Sequence, residues 1–251
     1  MKYTTMDLNA DAGESFGNYT YGDDEGIMPY LSSVNVACGF HAGDPRVMRK
    51  TVRLAMRHDV AVGAHVGLPD LLGFGRRLMD IGAEEMRDYV VYQVGALKAF
   101  VEAEGGRLHH VGPHGELAAV CRKAPEVGEA FAAGVHEAAP KAAIIGRPGL
   151  PTFDAAVRLG HQGACQVGLD LEYRADCTAI LQRVREYFPV DRAMKRLRQI
   201  LMEGAFPADD GTLLDFPINT LLVHSDTPNA AEILQAAREE MTELGVTCQV
   251  F

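Results

Sequence analysis

Several segments of this chain place an imidazole or a carboxylate immediately after a short apolar run. In Cys38-Gly39-Phe40-His41-Ala42-Gly43-Asp44-Pro45, small residues bring the backbone in close, and a His and an Asp follow. Gly63-Ala64-His65-Val66-Gly67-Leu68-Pro69-Asp70 and Val223-His224-Ser225-Asp226-Thr227-Pro228 repeat the design. Asn9-Ala10-Asp11-Ala12-Gly13-Glu14 shares the position without the His, and His114 follows a further run through Pro113. Hydrolysis or a related carbonyl addition needs such a set: a base to activate water, an acid for the leaving nitrogen or oxygen, and donors or a metal for the oxyanion. By position the catalytic candidates are Asp11, Glu14, His41, Asp44, His65, Asp70, His114, His224 and Asp226. Asp11, His41 and His65 also suit a divalent metal, although no compact His-x-x-x-His motif accompanies them.

Simpler roles compete for several of these residues. Asp44 and Asp226 each precede a Pro and make good helix N-caps. His109 and His110 fall in or beside a strand, where packing or backbone bonding is expected, and His58, His136 and His161 read as surface positions. Cys38 reads as a small buried hydrophobe, with no base at fixed spacing to make it a nucleophile. Gly73-Phe74-Gly75-Arg76-Arg77 offers two cations after a flexible turn, suited to a carboxylate substrate or an acidic partner, with a solvated salt bridge as the alternative. Asn9, Arg76, Arg77 and Glu116 are the candidate substrate contacts. Gly-x-x-x-x-Gly-Lys-Ser/Thr and a strand-borne Gly-x-Gly-x-x-Gly are both lacking, so an ATP site within this chain has no motif behind it.

Alternating strands and helices must carry these residues. Short apolar runs give strands near Thr4 to Asn9, Ser33 to Ala37, Val60 to Ala64, Leu108 to Val111, Ala142 to Ile145, Gly163 to Gly168, Thr220 to Val223 and Val246 to Val250. Periodic stretches give helices at Pro45 to Arg57, Ala83 to Glu104, Glu126 to Ala138, Asp191 to Glu203 and Pro228 to Leu244. Leu169 to Arg192 breaks the alternation and suits a helical excursion or a lid. With 251 residues, 47% of them hydrophobic, and no linker or repeat, a single α/β domain over 1–251 is expected. Polar residues at the carboxyl ends of its strands then have the stronger claim to function.

Composition narrows the partners. A net charge of −10 without a basic tract argues against nucleic acid and anionic lipid. No apolar run reaches the roughly 18 to 20 residues of a membrane span, and no export signal follows Met1. Five cysteines without a Cys-x-x-Cys pairing suit a reducing cytoplasm. A homo-oligomer stays open.

Longer strings resemble a known family: Asp7 to Asp11, Gly13-Glu14-Ser15-Phe16-Gly17, Ala37 to Pro45, Gly63-Ala64-His65, Gly73 to Arg77, Tyr92-Gln93-Val94-Gly95-Ala96-Leu97 and His224 to Pro228. They are similar to the LamB/YcsF family, which includes the A subunit of 5-oxoprolinase; the match is dense from Asp7 to about Gly115 and returns at Val223. The resemblance implies an irregular, TIM-like, seven-stranded β/α barrel related to the glycoside hydrolase and deacetylase barrels. It also implies ATP-dependent opening of 5-oxoproline to glutamate together with partner subunits B and C, ATP being used through that complex. The alternatives are a metal-dependent deacetylase-like hydrolase acting alone and a non-catalytic regulatory paralogue.

The chain also departs from the family pattern. Where the family reads His-Val-Lys-Pro-His-Gly-Ala-Leu-Tyr-Asn, this chain has Gly112 for the Lys, Glu116 for the Ala, and Ala118-Ala119 for Tyr-Asn. Gln166 and Leu171 replace a Glu and an Arg further on. One charge at ~4 Å is worth about 4 kcal/mol at an effective dielectric near 20. Losing two cations and gaining Glu116 is therefore expected to weaken recognition of 5-oxoproline.

Overall fold

In the computed structural model, which describes residues 1–251, strand and helix alternate along the chain. The first half runs β1 (Thr5–Ala12), α1 (Asp24–Ile27), β2 (Ser33–Ala37), α2 (Pro45–Arg57), β3 (Ala61–Val66), α3 (Ala83–Ala103) and β4 (His110–Pro113). Next come α4 (Glu116–Lys123), α5 (Pro125–Ala138), β5 (Ala143–Gly146), α6 (Pro151–Arg158) and β6 (Gly163–Gly168). The remainder holds β7 (Glu172–Tyr173), β8 (Ala179–Ile180), α7 (Val190–Glu203), β9 (Ala205–Pro207), β10 (Leu213–Asp215), β11 (Thr220–Val223), α8 (Ala230–Glu243) and β12 (Thr247–Cys248).

Hydrogen-bonded neighbours follow the order β11-β6-β5-β4-β3-β2-β1-β12, and β11 also pairs with β1. That last pairing is parallel, from Asp7 opposite Thr220 to Ala10 opposite Val223, and it closes β1 to β6 and β11 into a seven-stranded barrel. β12 adds to the start of β1 at Thr5 and Met6. This is the irregular α/β barrel expected from the sequence.

Strand β1 shows why a polar interior is tolerated. Its period of two puts Met6, Leu8, Ala10 and Ala12 on one face and Asp7, Asn9 and Asp11 on the other, all buried. Buried polar groups require partners, and they have them. Asp7 accepts from the hydroxyls of Ser32 and Ser33 at 2.6 and 2.7 Å, and Asn9 donates to Ser33 at 2.6 Å.

The chain packs as two units, Met1–Ala10 with Gly22–Ser33 and Cys165–Phe251, and Asp11–Tyr21 with Val34–Ala164. In the first, α7 packs on α8, with Leu197, Ile200 and Leu201 buried on one helix and Ile233, Leu234 and Met241 on the other. In the second, α3 packs on α5 and α5 on α6 through buried Val90, Val94, Leu97, Phe131 and Val135. Gln93 of α3 closes the turn after β3 by accepting from Gly67 N at 2.9 Å and donating to Gly67 O at 3.0 Å.

Several local expectations change. Asp44 does cap α2, accepting from the N–H of Arg46 and Val47 at 2.7 and 3.0 Å, with Pro45 in the first turn. Asp226 does not open its helix: α8 starts at Ala230, and Asp226 Oδ1 lies 3.6 Å from Arg185 Nε. The short α4 and α6 and the β9–β10 hairpin escape a reading by period, because eight residues or fewer complete too few turns or alternations. Leu169 to Arg192 holds no helix before Val190, only the two-residue β7–β8 ladder. His161 is buried rather than exposed, its Nδ1 donating to Ala142 O at 2.7 Å. No helix is long and apolar enough to cross a membrane.

Candidate active site

Within the second unit, five side chains from separate elements come together. Asp11 lies on β1, Glu14 in the turn after it, His41 after β2, His65 on β3 and His114 after β4, and all five are buried. His114 Nδ1 is 3.0 Å from His65 Nε2, which is 3.3 Å from Asp11 Oδ1. Glu14 Oε1 is 3.5 Å from His41 Nε2 and 4.0 Å from His114 Nδ1. The His41 and His114 rings stack with centroids 3.8 Å apart and 6° between planes.

Hydrogen bonding sets the tautomers. His114 Nε2 lies 2.8 Å from Phe74 O, and a carbonyl only accepts, so Nε2 carries the proton. Its Nδ1 faces His65 Nε2, and one proton lies between the two nitrogens. Phe74 holds a left-handed backbone, φ 53°, and its ring meets His41 and His114 edge-on. Gly75 has φ 65°, and a Cβ there would stand 2.8 Å from the His114 ring and 2.9 Å from His41 Cβ. Glycine at that position lets the loop close over both imidazoles.

His41 differs from the other imidazoles. It is fully buried, and neither ring nitrogen has a hydrogen-bond partner. Burial, then His114, His65 and Arg76, holds its pKa well below the ordinary histidine value. The ring is neutral at neutral pH, and an uncommitted, desolvated imidazole is costly unless something uses it. Cys38 is the opposite case: burial pushes its thiol up to about 12, and Sγ donates to Val36 O.

The two arginines of the glycine-flanked turn have separate fates. Arg76 is buried over the Phe74 ring, 4.9 Å from its centroid, close enough to help depress His41. Arg77 is exposed and bonded to Asp70, with Nε 2.9 Å from Oδ1, and that bond is the first cause of Asp70's lowered pKa. Asp70 and Arg77 line a cleft of about 330 Å³ with Gly39, Phe40 and Leu71.

The LamB/YcsF family pattern matches residues 6–251. The chain belongs to the LamB/YcsF family. The A subunit of 5-oxoprolinase from Bacillus cereus is 42% identical over 92% of this chain and 93% of its own length. Its counterpart from Geobacillus thermodenitrificans, of the same description, is 42% identical over 98% of this chain and 97% of its own. The crystal structure of a lactam utilization protein from Thermus thermophilus superposes with a TM-score of 0.89 at 38% identity, covering 98% of this chain and all of that one.

Other residues singled out in this LamB/YcsF chain have more local surroundings. Asp44 serves the start of α2 and accepts from Gly17 N at 2.8 Å; burial would raise its pKa, but the Gly17, Val47 and Arg46 N–H groups outweigh it and lower it. Asn9 uses its amide on Ser33 and on Gln166, whose Nε2 is 3.3 Å away. Glu116 sits half-buried in the first turn of α4, where the helix dipole favours a carboxylate.

In the first unit, Asp170 receives His224 N at 3.1 Å, His224 Nδ1 at 3.0 Å and the Thr227 hydroxyl. Burial raises the Asp170 pKa, but His224, Arg185 and Thr227 reverse the balance and hold it far below the carboxylate range. Buried Arg185, from the irregular segment after β6, donates to Asp170 O at 3.0 Å. Sequence reasoning singled out neither Asp170 nor Arg185, since an Asp in an apolar stretch and one Arg among several carry no spacing signal. Asn35 was missed too, although a polar residue between Val34 and Val36 in a wholly buried strand marks it.

Proposed function

We propose that this chain is the ring-opening component of an ATP-dependent assembly with 5-oxoprolinase-type subunits B and C, working in the cytoplasm as one functional domain over 1–251. It hydrolyses the amide of 5-oxoproline or a close lactam to glutamate. The carrying observation is His41, a neutral imidazole buried without a hydrogen-bond partner beside Glu14. His41 removes a proton from water as the water oxygen adds to the lactam carbonyl carbon, and Glu14 stabilises the imidazolium so formed. The C–N bond then breaks and His41 returns the proton to the departing nitrogen, giving the free amine. Asp11 orients His65, and His65 orients His114. Arg76 receives the substrate carboxylate, and ATP turnover in the assembly drives ring opening.

The test is glutamate release by the purified chain mixed with subunits B and C, ATP and 5-oxoproline. His41→Gln is expected to lower kcat by roughly 10²- to 10⁴-fold, the usual worth of a positioned base. An assembled complex whose wild-type chain releases no glutamate rejects the reading.

One observation favours a metal-assisted form of the same chemistry. Ligand atoms of Glu14, His41 and His114 lie within 4.8 Å of one another, as do those of Asp11, Glu14 and His65. Mixed imidazole and carboxylate donors, with the His41 nitrogens uncommitted, fit a divalent first-row ion. Such an ion would polarise the carbonyl and acidify water. Elemental analysis of chelator-free protein should then find about one ion per chain, lost in Glu14→Ala, whose carboxylate belongs to both groups. Full activity of metal-free protein excludes this form.

A further inference from the structure

We infer that His110 and Asn35 are positioning residues for Asp11, forming a buried hydrogen-bond line that holds this carboxylate in one orientation for the reaction. The inference rests on the proposed role of Asp11 in orienting His65. Asn35 Nδ2 donates to Asp11 Oδ1 at 2.9 Å, and Asn35 Oδ1 lies 2.8 Å from His110 Nε2. The direction is forced. A carboxylate accepts, so the amide must present its NH₂ to Asp11, and the amide oxygen can then only accept from His110. His110 therefore carries its proton on Nε2.

Behind it, His110 Nδ1 is 3.1 Å from His109 Nδ1. His110 is fully buried, and burial first, then His109 and His65, keeps its pKa well below the ordinary value. In the neutral ring Nδ1 accepts, so His109 donates. The bonds from His109 to His110, His110 to Asn35 and Asn35 to Asp11 all run the same way. The far end meets the reacting set, because Asp11 Oδ1 is also 3.3 Å from His65 Nε2.

The ring has a place made for it. Gly63 is the register partner of His110 on the neighbouring strand, and a Cβ on Gly63 would lie 2.0 Å from His110 Nε2. Real side-chain contacts never come so close, so only glycine at 63 admits the imidazole in this orientation. Packing alone would not need a polar ring there, since an apolar side chain avoids the cost of desolvating an imidazole. A ring that delivers a donor to Asn35 does need it.

The assay is glutamate release by the complete assembly, read as separate kcat and KM. His110→Phe keeps the ring shape without the donor, and kcat is expected to fall roughly 10- to 100-fold with KM within about twofold. His110→Gln, which restores an N–H near Nε2, should recover most of the loss. In an Asp11→Asn background His110→Phe should change nothing further, because the line acts only through the carboxylate. Equal losses in both backgrounds, or no recovery with His110→Gln, would show a merely structural histidine and overturn the inference.

A second readout does not depend on turnover. In ¹⁵N-histidine-labelled chain at pH 7, His110 should show a protonated Nε2 and an unprotonated Nδ1, a pattern altered in Asn35→Leu. The opposite tautomer in wild type overturns the hydrogen-bond line whether or not the enzyme is active. The expected spectrum in a chain whose assembly releases no glutamate would locate the failure in the proposed reaction instead.

Discussion

Arg76 and Arg77 are neighbours in sequence with opposite prospects. Arg77 spends its charge on Asp70 at the surface, whereas Arg76 lies buried near His41, where a cation interacts strongly with an incoming carboxylate. Arg76→Ala is expected to raise KM for 5-oxoproline by about 10- to 150-fold, the equivalent of ~1.5–3 kcal/mol for a charged hydrogen bond. Turnover of 2-pyrrolidinone, the lactam without the carboxylate, should be equally slow in wild type and variant. A KM that stays put would remove Arg76 from the substrate. Arg76 also supplies positive charge of the kind that Gly112, in the same unit, withholds. A Lys at position 112 would project beside His65, its register partner, so Gly112→Lys with Glu116→Ala should lower KM below the wild-type value. An unchanged KM means these positions do not set the substrate.

At the scale of elements, loops after strands place the clustered imidazoles and carboxylates, and their glycines differ in what they are for. Gly75→Ala combines a left-handed backbone with a collision against His114 and His41. The strain alone costs about 1–2 kcal/mol, and displaced imidazoles should abolish most turnover. Gly17→Ala, at φ 56° with nothing near the added methyl, should cost similar stability and leave kcat intact. Urea denaturation and glutamate release measured on both variants separate the two effects. Equal kcat in both would mean that the loop does not position the histidines. Asp44→Ala should cost about 1 kcal/mol through the lost cap of α2, and further through the freed Gly17 N–H.

The whole molecule carries a pH signature. His41 and His110 both have folded pKa values well below the histidine norm, chiefly through burial. The unfolded chain therefore binds protons near pH 6.5 that the folded chain refuses. Their contribution is complete above about pH 6.5 and declines as pH falls below it, by up to about 1.4 kcal/mol per pH unit for each ring. The stabilisation from depressed Asp44, Asp70 and Asp170 persists to lower pH and is lost only below about 4. The urea midpoint should drop between pH 7.5 and 5.5, and His110→Gln should make the drop shallower. A flat wild-type profile would mean that these rings take up protons without unfolding.

Local rules made much of the chain legible: apolar runs of period two and 3.6 revealed the long strands and helices, Asp44-Pro45 marked the start of α2, and residues following strands picked out Asp11, Glu14, His41, His65 and His114. The quoted strings carried the family. Each of these signals lies within a few residues, where backbone geometry and side-chain chemistry suffice. Tertiary structure decided the rest. Asn35 and His110, 75 residues apart, become partners only when β2, β3 and β4 align, and only Gly63 leaves room for the ring. Burial separates Arg76 from Arg77, and the pairing of β6 with β11 accompanies the meeting of Asp170 with His224 across 54 residues. Long-range partners depend on strand register and exclusion of water, and both arise only once the strands have paired.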